Sequence, residues 1–422
     1  MIRKIISNKL VKQTGTLASG AMLAQIIGLL ATPVLSRYYF PEDFGLLGSI
    51  LTLAGIIAVI LSLKYEMAIV LTEKRKETYS VVGLSLLIMI GLFFIISSIL
   101  IKEPSLLKYM GVNNTSTLIV IVLLLITLGL GVQNILYQWH TKLENYGTMS
   151  KNKVIQKMSI VFLQLVIILL FSNHFGLIWG FTLGLLISLL VLILPLKQEI
   201  KSLKLNKHDL IRSSKKYFRF PLYTAPQNLL NAISQGLPVL LLGYFFDLKT
   251  VGFYFFAVRI LQLPSSVIGG SIRQVFYKRA SDLRTNIPQL FIEFKKTTFG
   301  LLCLIIVPVI IIFMFGPELF SLCFGSEWEK AGEMAKWMML WIGLMFVNPP
   351  SNAVLLALNK NNNQLVLDIL LISIRALALY IGGSTGDIIY TIKLFSIVGL
   401  FFNIILITIS YNYLRYGNSI WR

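Results

Sequence analysis

From about residue 14 to its C-terminus the chain is a succession of apolar windows, each as long as a membrane-crossing helix, cut apart by short polar stretches. A helix rises ~1.5 Å per residue and a bilayer core is ~30 Å thick, so about 20 apolar residues span it. The pattern leaves no room for a soluble domain. Because the runs are continuous and do not alternate, a transmembrane β-barrel is excluded too. Composition agrees: of 422 residues 56% are hydrophobic and 13% charged, with a mean hydropathy of +0.78, too apolar for an ordinary solvated surface. The N-terminal "MIRKIISNKLVKQ" leads into an apolar run with no small-residue cleavage pattern after it and reads as an uncleaved first span. Cys303 and Cys323 give no basis for a disulfide framework, a metal site or a redox role.

Windows bounded by charged or turn-forming residues predict twelve spans, near 14–36, 44–63, 79–101, 115–139, 153–172, 176–196, 220–246, 250–272, 291–315, 332–357, 364–382 and 387–411. The expected fold is all-α and integral to the membrane, with two six-helix bundles at 1–196 and 220–422 joined by a basic cytoplasmic linker at 197–219. With the N-terminus placed inside, 29 of the 38 Lys and Arg fall at or beyond the cytoplasmic span ends and 5 outside. Arg259, Lys336, Arg375 and Lys393 fall within spans. That asymmetry puts both termini in the cytoplasm. The net charge of +20 is therefore topology and attraction to anionic lipid, with no call for a nucleic-acid partner. His140, His174 and His208 lack metal-ligand spacing.

The phrase "PVLSRYYFPEDFG" at 33–45 has a looser echo, "PVLLLGYFFDLKTVG", at 238–252. Each ends an odd span and opens an even one on the outer side, so the halves read as parallel repeats about an axis along the membrane normal. In the first copy the aromatics are expected in the interfacial belt, Pro41 opens the turn, and Glu42 and Asp43 cap the second helix. Arg37 with Pro41, Glu42, Asp43 and Gly45 resembles the L-x-R-x-x-x-P-E-D-x-G pattern of oligosaccharide flippases of the polysaccharide transport family. These are O-antigen or capsule repeat-unit flippases of the superfamily that includes MATE exporters and lipid II flippases. The resemblance extends over the whole chain in length, span number and mid-chain linker. It implies that an undecaprenyl-diphosphate-linked oligosaccharide is carried from inner to outer leaflet of the bacterial inner membrane. The implied mechanism is alternating access around a cationic cavity, within a set of polysaccharide-assembly proteins and membrane lipids.

Such a cargo needs cations for the diphosphate and hydrogen-bonding groups for the sugars. Arg259, Gln262, Ser266, Gly270 and Arg273 fall on one stripe of the eighth span, with Arg259 ~13 Å deep. Thr224, Asn228, Asn231 and Gln235 form a stripe on the seventh, which could contact sugar or join helices; Gln25 in the first span reads the same way. Lys64 and Glu66 at the inner end of the second span form a gate or an interfacial ion pair. Asp368 and Arg375 share a face and read as a structural bridge or an H+ or Na+ coupling site. Lys393 has no evident local partner in sequence and joins Arg37, Arg259 and Arg375 as a candidate substrate contact. Prolines, and "NPPSN" at 348–352 above all, predict interrupted spans. No cofactor is expected.

Two other functions compete. A MATE-like exporter of cationic drugs is disfavoured by four in-span basic residues set against Asp368. A polymerase or ligase is disfavoured by short outer loops, the longest around "GPELFSLCFGSEWEKAGE", without paired carboxylates, a triad or a nucleotide loop.

Overall fold

The computed structural model describes residues 2–109, 116–172, 174–203, 205–358 and 361–416. Among these residues all regular structure is helical. The helices begin with α1 (Ile2–Tyr38), α2 (Pro41–Ile60), α3 (Arg75–Lys102), α4 (Thr117–Lys142), α5 (Tyr146–Phe171), α6 (Gly176–Ile193) and α7 (Lys207–Lys216). They continue with α8 (Ala225–Phe245), α9 (Leu248–Leu261), α10 (Gly270–Asp282), α11 (Ile287–Phe324), α12 (Glu329–Val347), α13 (Pro349–Ala357), α14 (Asn361–Ser384) and α15 (Ile388–Tyr416). Each of the twelve predicted spans coincides with one of these helices or a consecutive pair. Among the described residues, eight qualify by length and hydropathy alone, and the bent pair α12–α13 makes nine. α8 falls short because amides and prolines dilute its apolar run, and α9–α10 because the helix is broken after Leu261; the apolar part of α14 is Ile369–Ser384.

The chain divides into two compact units, Met1–Tyr244 and Phe245–Arg422. In the first, α5 packs against α1 and α6. Gly176, Gly180 and Gly184 recur every four residues along α6, and this bare face lets the backbones close. A methyl group added at Gly180 would sit 2.7 Å from the Gln164 backbone nitrogen, and one at Gly184 2.8 Å from that of Ile160. In lipid such contact, with no hydrophobic gain between helices, is what drives association. Within residues 197–219, α7 lies on the start of α3 through Lys76–Asp209 (2.9 Å) and Lys216–Glu77, and Arg75 binds Glu199 at 2.6 Å. The hydrogen bond that its ammonium donates to the Glu77 carboxylate holds Lys216 above the ordinary lysine range.

The second unit has the same logic. Gly316 of α11 faces Gly332 of α12, where an added methyl would meet the opposite carbonyl oxygen at 2.7 Å. Phe256, Phe320, Phe324 and Trp328 close into an aromatic cluster, with Phe256 stacked on Trp328 at 3.9 Å. The predicted interruption at 348 is a 41° bend between α12 and α13, with Pro349 at the first helical position, where its missing N–H costs nothing. Asn348 donates to the Asn403 side chain, and Asn403 donates to the Trp341 (3.3 Å) and Gly399 (2.7 Å) carbonyls, so the broken backbone is bridged by amides. The long outer loop expected around 316–333 is instead helical. α11 runs on to Phe324, past a non-helical Phe315, and turns at Gly325, whose φ of +112° excludes a side chain.

Candidate functional site

The 33–45 hairpin behaves as its residues dictate. Pro41 opens α2, and the Asp43 carboxylate accepts the Phe40 N–H at 2.9 Å, so one orphan donor is capped. Asp43 also lies 3.2 Å from His174 Nδ1, which tilts against Phe40. Arg37 is exposed in the last turn of α1. Tyr39 is packed into the protein and does not lie on its surface. It is 1% exposed, and its hydroxyl donates to the Gln164 carbonyl of α5 at 2.7 Å, while Tyr38 and Phe40 stay exposed.

Beyond α2 the chain folds back through Leu63 (φ +48°) and Lys64 (φ +62°) into a tight turn at Tyr65–Leu71. This fold-back buries what the sequence left at the surface. Lys64 Nζ lies 3.3 Å from Glu66, whose side chain is 2% exposed and accepts from the Ser62 hydroxyl. Leu61, Tyr65, Ile69 and Trp139 belong to the surrounding apolar cluster. The pair is therefore a desolvated one, and the weak energetics of exposed pairs do not apply to it.

On α8 the amide stripe is open. Asn231 and Gln235 are exposed and bonded to each other at 3.2 Å, and half-buried Asn228 donates to the Thr224 carbonyl at 2.8 Å. Interhelical amide bonds would have buried the two outer members.

In the second unit Arg259 stands half-buried in the last turn of α9, one turn before Gln262 and Pro264. A π turn at Ser265–Gly269 follows, and its extra residue rotates what lies beyond by about 100°. The single stripe expected from Arg259 to Arg273 is thus broken, and Arg273 is exposed. The Arg375 guanidinium lies 4.5 Å from the ring of Trp341 and 4.7 Å from that of Phe395, against Gly399. Lys393 lies 4.7 Å over Trp337. Trp337 and Trp341 are one helical turn apart on α12, so each of these in-span cations rests on an indole of the same helix. The side chains of Asp368 and Ser266 lie outside the described residues. No group of three or more His, Cys, Asp or Glu that could hold a metal occurs among the described residues.

A sequence profile described as "Polysaccharide biosynthesis protein" matches residues 34–333, which include the hairpin, the buried ion pair, α8 and Arg259. The chain belongs to the polysaccharide biosynthesis protein family. No curated protein sequence matches it significantly. Among solved structures it is similar to lipid II flippase MurJ in an inward closed conformation (TM-score 0.74, 14% identity, 94% of this chain and 89% of that one). It is also similar to a multidrug resistance MATE family transporter in an inward-facing conformation (0.69, 15%, 96% of each chain). A MOP superfamily transporter from Pyrococcus furiosus, described as having a binding pocket of reversed polarity, matches at 0.60 with 14% identity over 96% of each chain. This family member therefore has the MOP transporter fold.

The sequence reading missed a polar network inside the first unit. Gln133 donates to Ser188 (2.9 Å) and Gln156 (3.1 Å), and Asn152, fully buried, donates to Tyr137 (2.9 Å) and Ser188 (3.1 Å). Asn152 and Gln156 are four residues apart on α5, a spacing that would have exposed the stripe had α5 been started at Tyr146 instead of 153. Gln25 lines a cavity beside this network.

Proposed function

We propose that this polysaccharide biosynthesis family member flips an undecaprenyl-diphosphate-linked oligosaccharide from the cytoplasmic to the outer leaflet of the bacterial inner membrane by alternating access. Both termini are cytoplasmic, and the two six-helix bundles 1–196 and 220–422 are joined by the linker 197–219. The observation that carries the reading is the exposed amide ladder of α8 in a chain otherwise this apolar. Amides that are not spent on helix packing are suited to a glycan's hydroxyls. Asn228, Asn231 and Gln235 contact sugar, while Arg259, with Gln262 and Arg37, holds the diphosphate. Arg375 and Lys393, already resting on indoles, act as the second tier of cations. Lys64 and Glu66 gate the inner end; Asp368 and Arg273 take part in gating or in H+ or Na+ coupling.

The test is complementation of a strain lacking this gene. Arg259→Ala, at normal membrane levels, should abolish surface polysaccharide and accumulate lipid-linked repeat unit in the inner leaflet. Arg259→Lys should be poorly tolerated if the contact is bidentate. Full surface polysaccharide from a normally folded Arg259→Ala protein refutes the assignment.

A further inference from the structure

We infer that the second unit carries a peripheral site for a membrane phospholipid with an anionic headgroup, in the groove between α10 and α11. The groove has a volume of about 470 Å³, and Ile272, Val275, Phe276 and Arg279 of α10 line it with Glu293 and Thr297 of α11. α11 has no charged residue from Thr297 to Pro317, a run of the ~20 residues that cross a bilayer core. The start of α11 before Thr297, and the turn at 283–286 that joins it to α10, therefore fall at a membrane face, where headgroups are.

Shape, charge and a built anchor select this occupant. α10 packs on α13, and Phe276, 4% exposed, belongs to the apolar cluster of Ala280, Leu290 and Phe294 that floors the groove. Val275 stands at its open side, 72% exposed. An apolar trough open along one side suits a hydrocarbon chain better than a compact polar solute, which needs convergent polar groups. The charge around it is one-sided. Arg273, Lys278, Arg279, Arg284, Lys295 and Lys296 are all exposed, set against Asp282 and Glu293. Each such cation near a membrane surface favours an anionic lipid by about fivefold. A zwitterionic choline headgroup brings a cation of its own and loses that gain. The anchor is Arg279, which lines the groove and reaches across it to Glu293 at 3.0 Å. That contact takes one of five guanidinium N–H groups and fixes the fork, and the remaining donors include a pair able to hold a phosphate at two points.

None of the six lining residues belongs to the proposed flippase contacts, and the site does not depend on which cargo is carried. The experiment is titration of the purified, delipidated full-length protein in detergent with dioleoylphosphatidylglycerol, dioleoylphosphatidylcholine and undecaprenyl phosphate, read by native mass spectrometry. Phosphatidylglycerol should bind at least about fivefold more tightly than phosphatidylcholine. Arg279→Gln should weaken it by about fivefold or more, whereas Glu293→Gln, which removes a carboxylate from the lining and frees the guanidinium, should tighten it by about twofold or more. An ion pair that only braced the two helices would move both variants the same way. Val275→Trp, at an exposed position and with no change of charge, should fill the trough and weaken phosphatidylglycerol binding by about fivefold or more. Equal affinities for the two phospholipids overturn the inference. Undecaprenyl phosphate binding more tightly than phosphatidylglycerol also overturns it, and gives the groove to a polyprenyl lipid. So does weakening by Glu293→Gln as large as that by Arg279→Gln, or unchanged affinity in a Val275→Trp protein that melts like the parent.

Discussion

Replacing Lys64 by Met should be among the most damaging single changes in the first unit. Its partner Glu66 is 2% exposed, so removing the ammonium leaves a carboxylate in the apolar cluster with the Ser62 hydroxyl as a partner. Removing one member of a buried pair costs about 3–5 kcal/mol. At roughly 2–4 °C per kcal/mol, the scale of domains near this unit's size, the melting temperature should fall by about 6–20 °C. Lys64→Gly should be milder by about 1–2 kcal/mol, because the native φ of +62° strains any residue with a side chain. Glu66→Met should cost about 1–3 kcal/mol, since the stranded ammonium is on a flexible stem that can swing toward water. The double replacement by Met should come back to within about 1 kcal/mol of the parent. The assay is a double-mutant cycle by thermal melting in detergent, with surface polysaccharide measured in parallel. A double variant as unstable as the two singles summed would refute the buried-pair account. A stable double variant that makes no polysaccharide is the result expected of a gate.

Other consequences are quicker to check. Gly184→Leu should cost more than about 3 kcal/mol and lower membrane levels sharply, because the side chain would enter the Ile160 backbone, whereas Gly91→Ala, with nothing within 4 Å, should stabilise by about 0.5–1 kcal/mol. Trp341→Ala should cost about 3–5 kcal/mol, since a buried indole and the Arg375 contact are lost together, and more than Trp337→Ala in the same melting assay. High salt should loosen the linker clasp, so trypsin should cut within 197–216 faster at about 0.5 M than at about 0.05 M NaCl, with no comparable change in cutting elsewhere.

Span positions, the capped 33–45 hairpin and the break at Asn348 were readable because they rest on local rules: apolar length, proline's missing donor, a carboxylate at a helix start. What was not readable depends on where the chain turns back. The burial of Lys64 and Glu66 follows from two left-handed residues that no composition rule demands of Leu63 and Lys64. The helical 316–324 segment defeated the loop reading because its charges are few and its aromatics pack inward on Phe256. The burial of Tyr39 was not legible from its type, because it depends on the bare glycine face of α6, which leaves a slot at Gly176 that the Tyr39 hydroxyl enters.

The π turn at 265–269 has a geometric consequence for the stripe it breaks. An uninterrupted α-helix over these residues would put Arg259 and Arg273 back on one side, since fourteen steps of 100° come within about 40° of whole turns. The polar face written into the sequence is thus the face of a helix one residue differently wound from this one. The segment from Pro264 to Gly270 is a spacer of one residue, and taking up or releasing it would swivel the α10 end of the span without unfolding either half.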